Sequence, residues 1–138
     1  MRKTLVDAGP LIALFRAGDK DHDWAVHTFA SLRKPLFTTE PVIAEVSHFL
    51  GNAGLSMRPL LGKIESGIFE VSFQLWRHAG AIATLMDKYD GQMDLADATL
   101  VRLSELFDDC EVMTLDYKDF LVYRRHGRQM IPLLAPPR

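Results

Sequence analysis

The chain has one cysteine in 138 residues, Cys110, so it cannot form an internal disulfide. That fits a reducing, cytoplasmic setting. Cys110 stands just before an apolar run and reads as a small buried hydrophobe. No apolar stretch approaches the roughly 20 residues a membrane helix needs, so no membrane role is expected. The segment Met1-Arg2-Lys3-Thr4-Leu5-Val6-Asp7 starts like a signal peptide. It meets Asp7 before an apolar region of about 7–15 residues can develop, and reads instead as a first strand. His22, His27, His48, His78 and His126 are scattered, without the spacing of a zinc site, and read as surface or packing residues. There is no Gly-rich phosphate loop and no Ser-His-Asp signature. Repeats, low-complexity tracts and linkers are missing too, so residues 1–138 read as a single domain. A chain of this length can bury one core without disulfides or structural zinc.

An excess of one charge sign is missing as well. The net charge of −2 does not advertise nucleic-acid binding. Its distribution is less even. Lys118, Arg124, Arg125, Arg128 and Arg138, with His126, face only Asp119 in the last stretch of chain. Arg124, Arg125 and Arg128 are candidates for holding a phosphate backbone, since guanidinium groups do so with a bidentate fork. A solvated basic surface is the competing reading.

What is present is an alternation of short apolar runs and helical patterns. Lys3 to Val6 reads as a buried strand. Pro10 suits the first turn of a helix that ends at Gly18. Asp21 or Asp23 can cap a helix reaching about Leu32. Leu36 to Thr38 reads as a strand, and Thr39 as the cap of a helix from about Pro41 to Asn52. In that helix Val42, Val46, Phe49 and Ala53 form a stripe at about 100° per residue, with Glu45 on its margin. Ser56 can cap a helix over about 57–65, and residues 69–71 form a brief strand. A longer helix is expected from about Gln74 to Lys88, and another from Leu95 to Phe107 with Asp94 near its cap. Glu111 to Leu115 reads as a strand, a short helix begins near Lys118, and a last strand lies around Met130-Ile131. Such alternation predicts an α/β fold, with helices on both faces of a mostly parallel sheet.

Folds of that class bind ligands outside the carboxyl ends of their strands. Asp7 and Asp116 fall at that end of their strands, and Glu45 and Asp97 begin helices at the same edge. Each lies in or beside an apolar run, where an unpaired charge is expensive. Any one of them has an ordinary reading as a cap, a turn residue or a dipole partner. Four together call for a cation, and hard oxygen ligands favour Mg²⁺ or Mn²⁺. Asp94 shares a helix face with Asp97 and is either a cap or a further ligand. Asp119 adds another nearby acid. Thr114 points to the same face as Asp116 and can hold a metal-bound water or a phosphate oxygen, or equally cap or pack.

The ordered set Val6-Asp7-Ala8-Gly9-Pro10-Leu11-Ile12, Glu45 in an apolar helix, Leu95-Ala96-Asp97-Ala98 and Thr114-Leu115-Asp116-Tyr117-Lys118-Asp119-Phe120 resembles a PIN domain over nearly the whole chain. The resemblance implies a three-layer α/β/α fold and a metal-dependent ribonuclease. Its acidic positions would be Asp7, Glu45, Asp97 and Asp116. Small members of this kind resemble VapC toxins, which implies an RNA substrate, an antitoxin partner and a homodimer. A phosphodiester repels bare acids, and a divalent ion would reverse the local sign.

Two other functions compete. One is a Mg²⁺-dependent phosphatase with an aspartyl nucleophile, but Asp7-Ala8-Gly9-Pro10 lacks a second aspartate two residues on. The other is a non-catalytic RNA-binding module, against which the complete set of acids argues.

Overall fold

The computed structural model describes residues 2–138. In chain order the elements are β1 (Lys3–Val6), α1 (Ala8–Phe15), α2 (His22–Ser31), β2 (Leu36–Phe37), α3 (Glu40–Asn52), α4 (Arg58–Glu65) and β3 (Phe69–Glu70). A 3₁₀ turn over Leu75–His78 follows. Then come α5 (Ala79–Lys88), α6 (Leu95–Glu105), β4 (Cys110–Met113), α7 (Tyr117–Val122), β5 (Arg124–Arg125), β6 (Gln129–Met130) and β7 (Leu133–Leu134).

Five strands form a parallel sheet in the order β3-β2-β1-β4-β7. Helices flank it, as parallel pairing with crossover connections requires. Leu5, Val6, Val112 and Met113 of the central pair are fully buried. This is why those strands read as continuous apolar runs rather than alternating ones. β1 and β4 run in register, Val6 opposite Met113. Among the described residues no helix is long and apolar enough to cross a membrane.

Three local expectations change. In α3 the buried line is Val42, Val46 and Leu50, while Phe49 is 41% exposed under the Arg16 guanidinium. The helix buries an inclined i, i+4 row rather than a strip parallel to its axis. The helix expected from Gln74 starts with the 3₁₀ turn, where His78 stacks on Phe73 and its ring nitrogen accepts from Arg102 of α6. The expected last strand is divided. Gln129–Met130 pairs antiparallel with Arg124–Arg125 in a hairpin closed by His126 and Gly127, both at positive φ. Beyond Pro132, Leu133–Leu134 adds a parallel edge strand beside β4.

Candidate active site

Asp7 is the first residue beyond β1, and its N–H still donates to the Met113 carbonyl at 3.0 Å. The ladder thus carries one residue further, and Thr114 becomes the neighbour of Asp7 across the sheet. The Thr114 hydroxyl donates to Asp7 Oδ2 at 2.9 Å and accepts from the Asp116 N–H at 3.0 Å. Asp7 Oδ1 accepts from the Ala8 N–H at 2.8 Å and so caps α1. Gly9 lets that first turn approach the loop, since a Cβ there would lie 3.1 Å from the Leu115 side chain. The Thr114 hydroxyl therefore joins Asp7 to the backbone of Asp116. Thr114 is fully buried, with its proton given to Asp7. It orients an acid here, in place of the water or phosphate contact the sequence suggested.

Glu45 and Asp97 arrive on α3 and α6. A buried pair of hydroxyls, Thr39 Oγ1 and Thr99 Oγ1 at 2.8 Å, links the starts of these helices, and Thr99 also donates to the Ala96 carbonyl. Thr39 occupies the cap position of α3 but turns its hydroxyl to Thr99 rather than to a helix amide. Asp94 does cap α6, accepting from the Asp97 N–H at 2.8 Å. Capping does not remove it from the cluster, because its charge bears on Asp7, Glu45, Asp97 and Asp116 alike.

The titration behaviour follows from that crowding. Burial pushes Asp7 up to about 6, against the opposing hydrogen bonds from Ala8 and Thr114, and the charges of Asp94 and Asp116 add to the rise. Burial pushes Glu45 up to about 7, with Asp94 and Asp7 contributing. Asp97 also rises to about 7 through burial and through Asp7, Asp94 and Asp119, although the Tyr123 hydroxyl opposes it. The Asp116 carboxyl is raised by burial and by Asp119, with Lys118 pulling the other way. A cation set among carboxyls raised by burial and by one another would draw them back down. Among the described residues, the ion pairs of Arg2 with Asp109 and Glu111, Arg102 with Glu105, and Arg138 with Asp21 involve none of these acids.

An all-oxygen donor set of this kind suits a hard divalent ion. Among the described residues no three acidic, His or Cys side chains are drawn close enough to grip one ion as they stand. Like charges have no reason to close up until a cation lies between them.

A model of the PIN domain matches residues 4–126. The chain belongs to the PIN domain family. The solved structure of VapC20 from Mycobacterium tuberculosis, described as a sarcin-ricin loop cleaving toxin, is similar to this PIN domain with a TM-score of 0.68. The two share 19% identity over 84% of this chain and 93% of that one, a likeness of fold. No curated protein matches the sequence significantly.

The basic trio at the end of this PIN domain is dispersed. Arg125 is only 6% exposed and its Nη2 donates to the Ser104 and Phe107 carbonyls at the end of α6. Its charge satisfies the C-terminal carbonyls of a helix, not a surface. Arg124 is half-buried, and its Nη1 donates to the carbonyls of Leu121, Val122 and Tyr123. Arg128 is exposed, as a phosphate contact must be. Cys110 is buried, its Sγ 3.6 Å from the Ser104 carbonyl, and burial pushes its thiol up.

Sequence reasoning took Thr39 only for a cap and passed over Thr99 and Tyr123. The hydroxyl of Tyr123 donates to Asp97 Oδ2 at 2.8 Å. Its signal was the spacing from Phe120, three residues back on α7, which marks a core-facing row.

Proposed function

We propose that this PIN domain is a Mg²⁺- or Mn²⁺-dependent endoribonuclease, the toxin of a VapBC-type toxin–antitoxin pair, working in the cytoplasm. One domain over residues 1–138 carries the activity. What supports the reading is the crowding of Asp7, Glu45, Asp97 and Asp116 around Asp94 at the carboxyl edge of a parallel sheet, where burial and mutual repulsion hold their carboxyls high. The neighbour with this fold is described as cutting the sarcin-ricin loop, which favours RNA as the substrate. A small antitoxin and a second copy of the chain are the partners expected of such a toxin.

In this reading Asp7, Glu45, Asp97 and Asp116 would hold the ion, with Asp94 as a further candidate ligand. When bound, it supplies positive charge for the phosphate and activates water for in-line attack. The acids are ligands, and none is assigned as a general base. Thr114 fixes the Asp7 carboxylate, and the Thr39–Thr99 pair fixes the distance between the helices of Glu45 and Asp97. Arg128 is the remaining candidate of the basic trio for the RNA backbone.

The test is a cleavage assay with Mg²⁺ or Mn²⁺ on RNA and on a phosphomonoester, using the wild type, Asp7→Asn and Asp97→Asn. RNA cleavage that needs metal and vanishes in both folded variants is the expected result. Turnover of the monoester alone would favour a phosphatase. RNA binding without cleavage would favour a non-catalytic module.

A further inference from the structure

Tyr123 is fully buried, yet it is not an ordinary core residue. Its ring meets Tyr89 and Phe120 edge-on, both at 5.2 Å, so it cannot swing. Its hydroxyl has two acceptors within reach, Asp97 Oδ2 at 2.8 Å and the Gln92 carbonyl at 3.4 Å. A phenol has one proton, and the shorter, charged acceptor takes it. Asp97 is thus held from two sides. Its backbone N–H is held by the Asp94 carboxylate and its side chain by Tyr123. A hydroxyl on Oδ2 sets the plane of the carboxylate and with it the direction of Oδ1.

The same device recurs at Asp7, where Thr114 is the buried hydroxyl. Two acids from different elements are each aimed by a hydroxyl from behind. We propose that Tyr123 is a positioning residue that presents Asp97 to the divalent cation, a role that rests on the metal reading of the acidic edge. Outer partners of metal ligands matter in general because a ligand free to rotate must be ordered at the moment of binding.

Tyr123→Phe keeps the ring and removes only the hydroxyl, so the fold persists and circular dichroism verifies it. Titration calorimetry with Mn²⁺ is then run on the wild type, Y123F, D97N and the double variant. Y123F should weaken Mn²⁺ binding by about 10–100-fold. In the D97N background the same change should cost little more, because Tyr123 acts through Asp97. Tyr89→Phe removes a neighbouring hydroxyl that accepts from the Arg124 N–H and touches no acid, and it should leave the affinity unchanged. Equal Mn²⁺ binding by wild type and Y123F overturns the role of Tyr123 alone. So does a Y123F effect that is undiminished in D97N, since that marks a general packing defect. A wild type that binds no Mn²⁺ overturns the metal reading, and this role with it.

Discussion

Thr114 and Asp7, 107 residues apart, share a buried hydrogen bond of 2.9 Å because β1 and β4 run in register and end together. Thr114→Val keeps the shape and deletes the donor. It also leaves the Asp116 N–H without its acceptor. Mn²⁺ affinity should fall by about 10–100-fold, and Thr114→Ser should retain most of it. Calorimetry on the two variants decides. Affinity kept in Thr114→Val but lost in Thr114→Ser would mean the methyl group, not the hydroxyl, matters.

Metal-free protein should lose stability as pH rises toward neutrality. The folded carboxyls titrate near 6 at Asp7 and near 7 at Glu45 and Asp97, above the ordinary values of about 4 that they regain on unfolding. The folded state therefore binds protons that the unfolded state has released. Their favourable contribution is complete below about pH 4 and is lost as pH climbs through 6 and 7. For buried Asp7, a rise of about two pH units corresponds to about 3 kcal/mol. Melting temperatures in EDTA across that range should fall, and Asp7→Asn should flatten the slope. A rise in melting temperature over the same window would contradict the crowding of these acids.

Divalent ions should reverse that penalty. A cation that binds only the folded state stabilises it by mass action, by about 2.7 kcal/mol at a hundredfold excess over Kd. Mg²⁺ and Mn²⁺ should both raise the melting temperature at neutral pH, with Mn²⁺ at least as effective at carboxylates. The gain should shrink in acid, where protons compete for the same oxygens. No shift with either ion at millimolar concentration, with RNA present, would count against the metal site.

Arg125 and Arg128 should separate stability from RNA contact. Arg125→Ala removes charge-assisted bonds to the Ser104 and Phe107 carbonyls and should cost about 2–3 kcal/mol of folding stability. Arg128→Ala should leave folding stability unchanged. It should weaken RNA binding and lower its salt slope by about one. Urea unfolding and RNA titrations at several salt concentrations check both. An Arg128→Ala variant with unaltered affinity and slope takes this residue off the RNA path.

Much of the fold could be read from short apolar runs separated by helical patterns, because a parallel sheet buried on both faces writes itself that way. The acids were conspicuous for the same reason. Asp7 and Asp97 interrupt apolar segments, where charge stands out. Hydroxyls do not stand out. Thr39 looks like a cap, Thr99 like any helix residue, and Tyr123 like part of a basic stretch, and only three-dimensional packing shows what each one holds. Arg125 misled for the opposite reason. A charge invites a surface reading, and nothing local reveals that the end of α6, some twenty residues earlier, offers it two carbonyls. Phe49 and Leu50 are adjacent and both apolar, so which one faces inward depends on how α3 crosses its neighbours.

Tyr123 and Arg125 lie on one extended segment and grip opposite ends of α6, Asp97 in its first turn and Ser104 near its last. About 10 Å of helix is spanned by a brace only three residues long. An inserted or deleted residue between the two grips would leave one of them unmade. An insertion at the His126-Gly127 turn falls outside the brace and would be absorbed as a longer loop. Length variation in descendants of this chain should therefore collect at that turn and avoid the three residues before it.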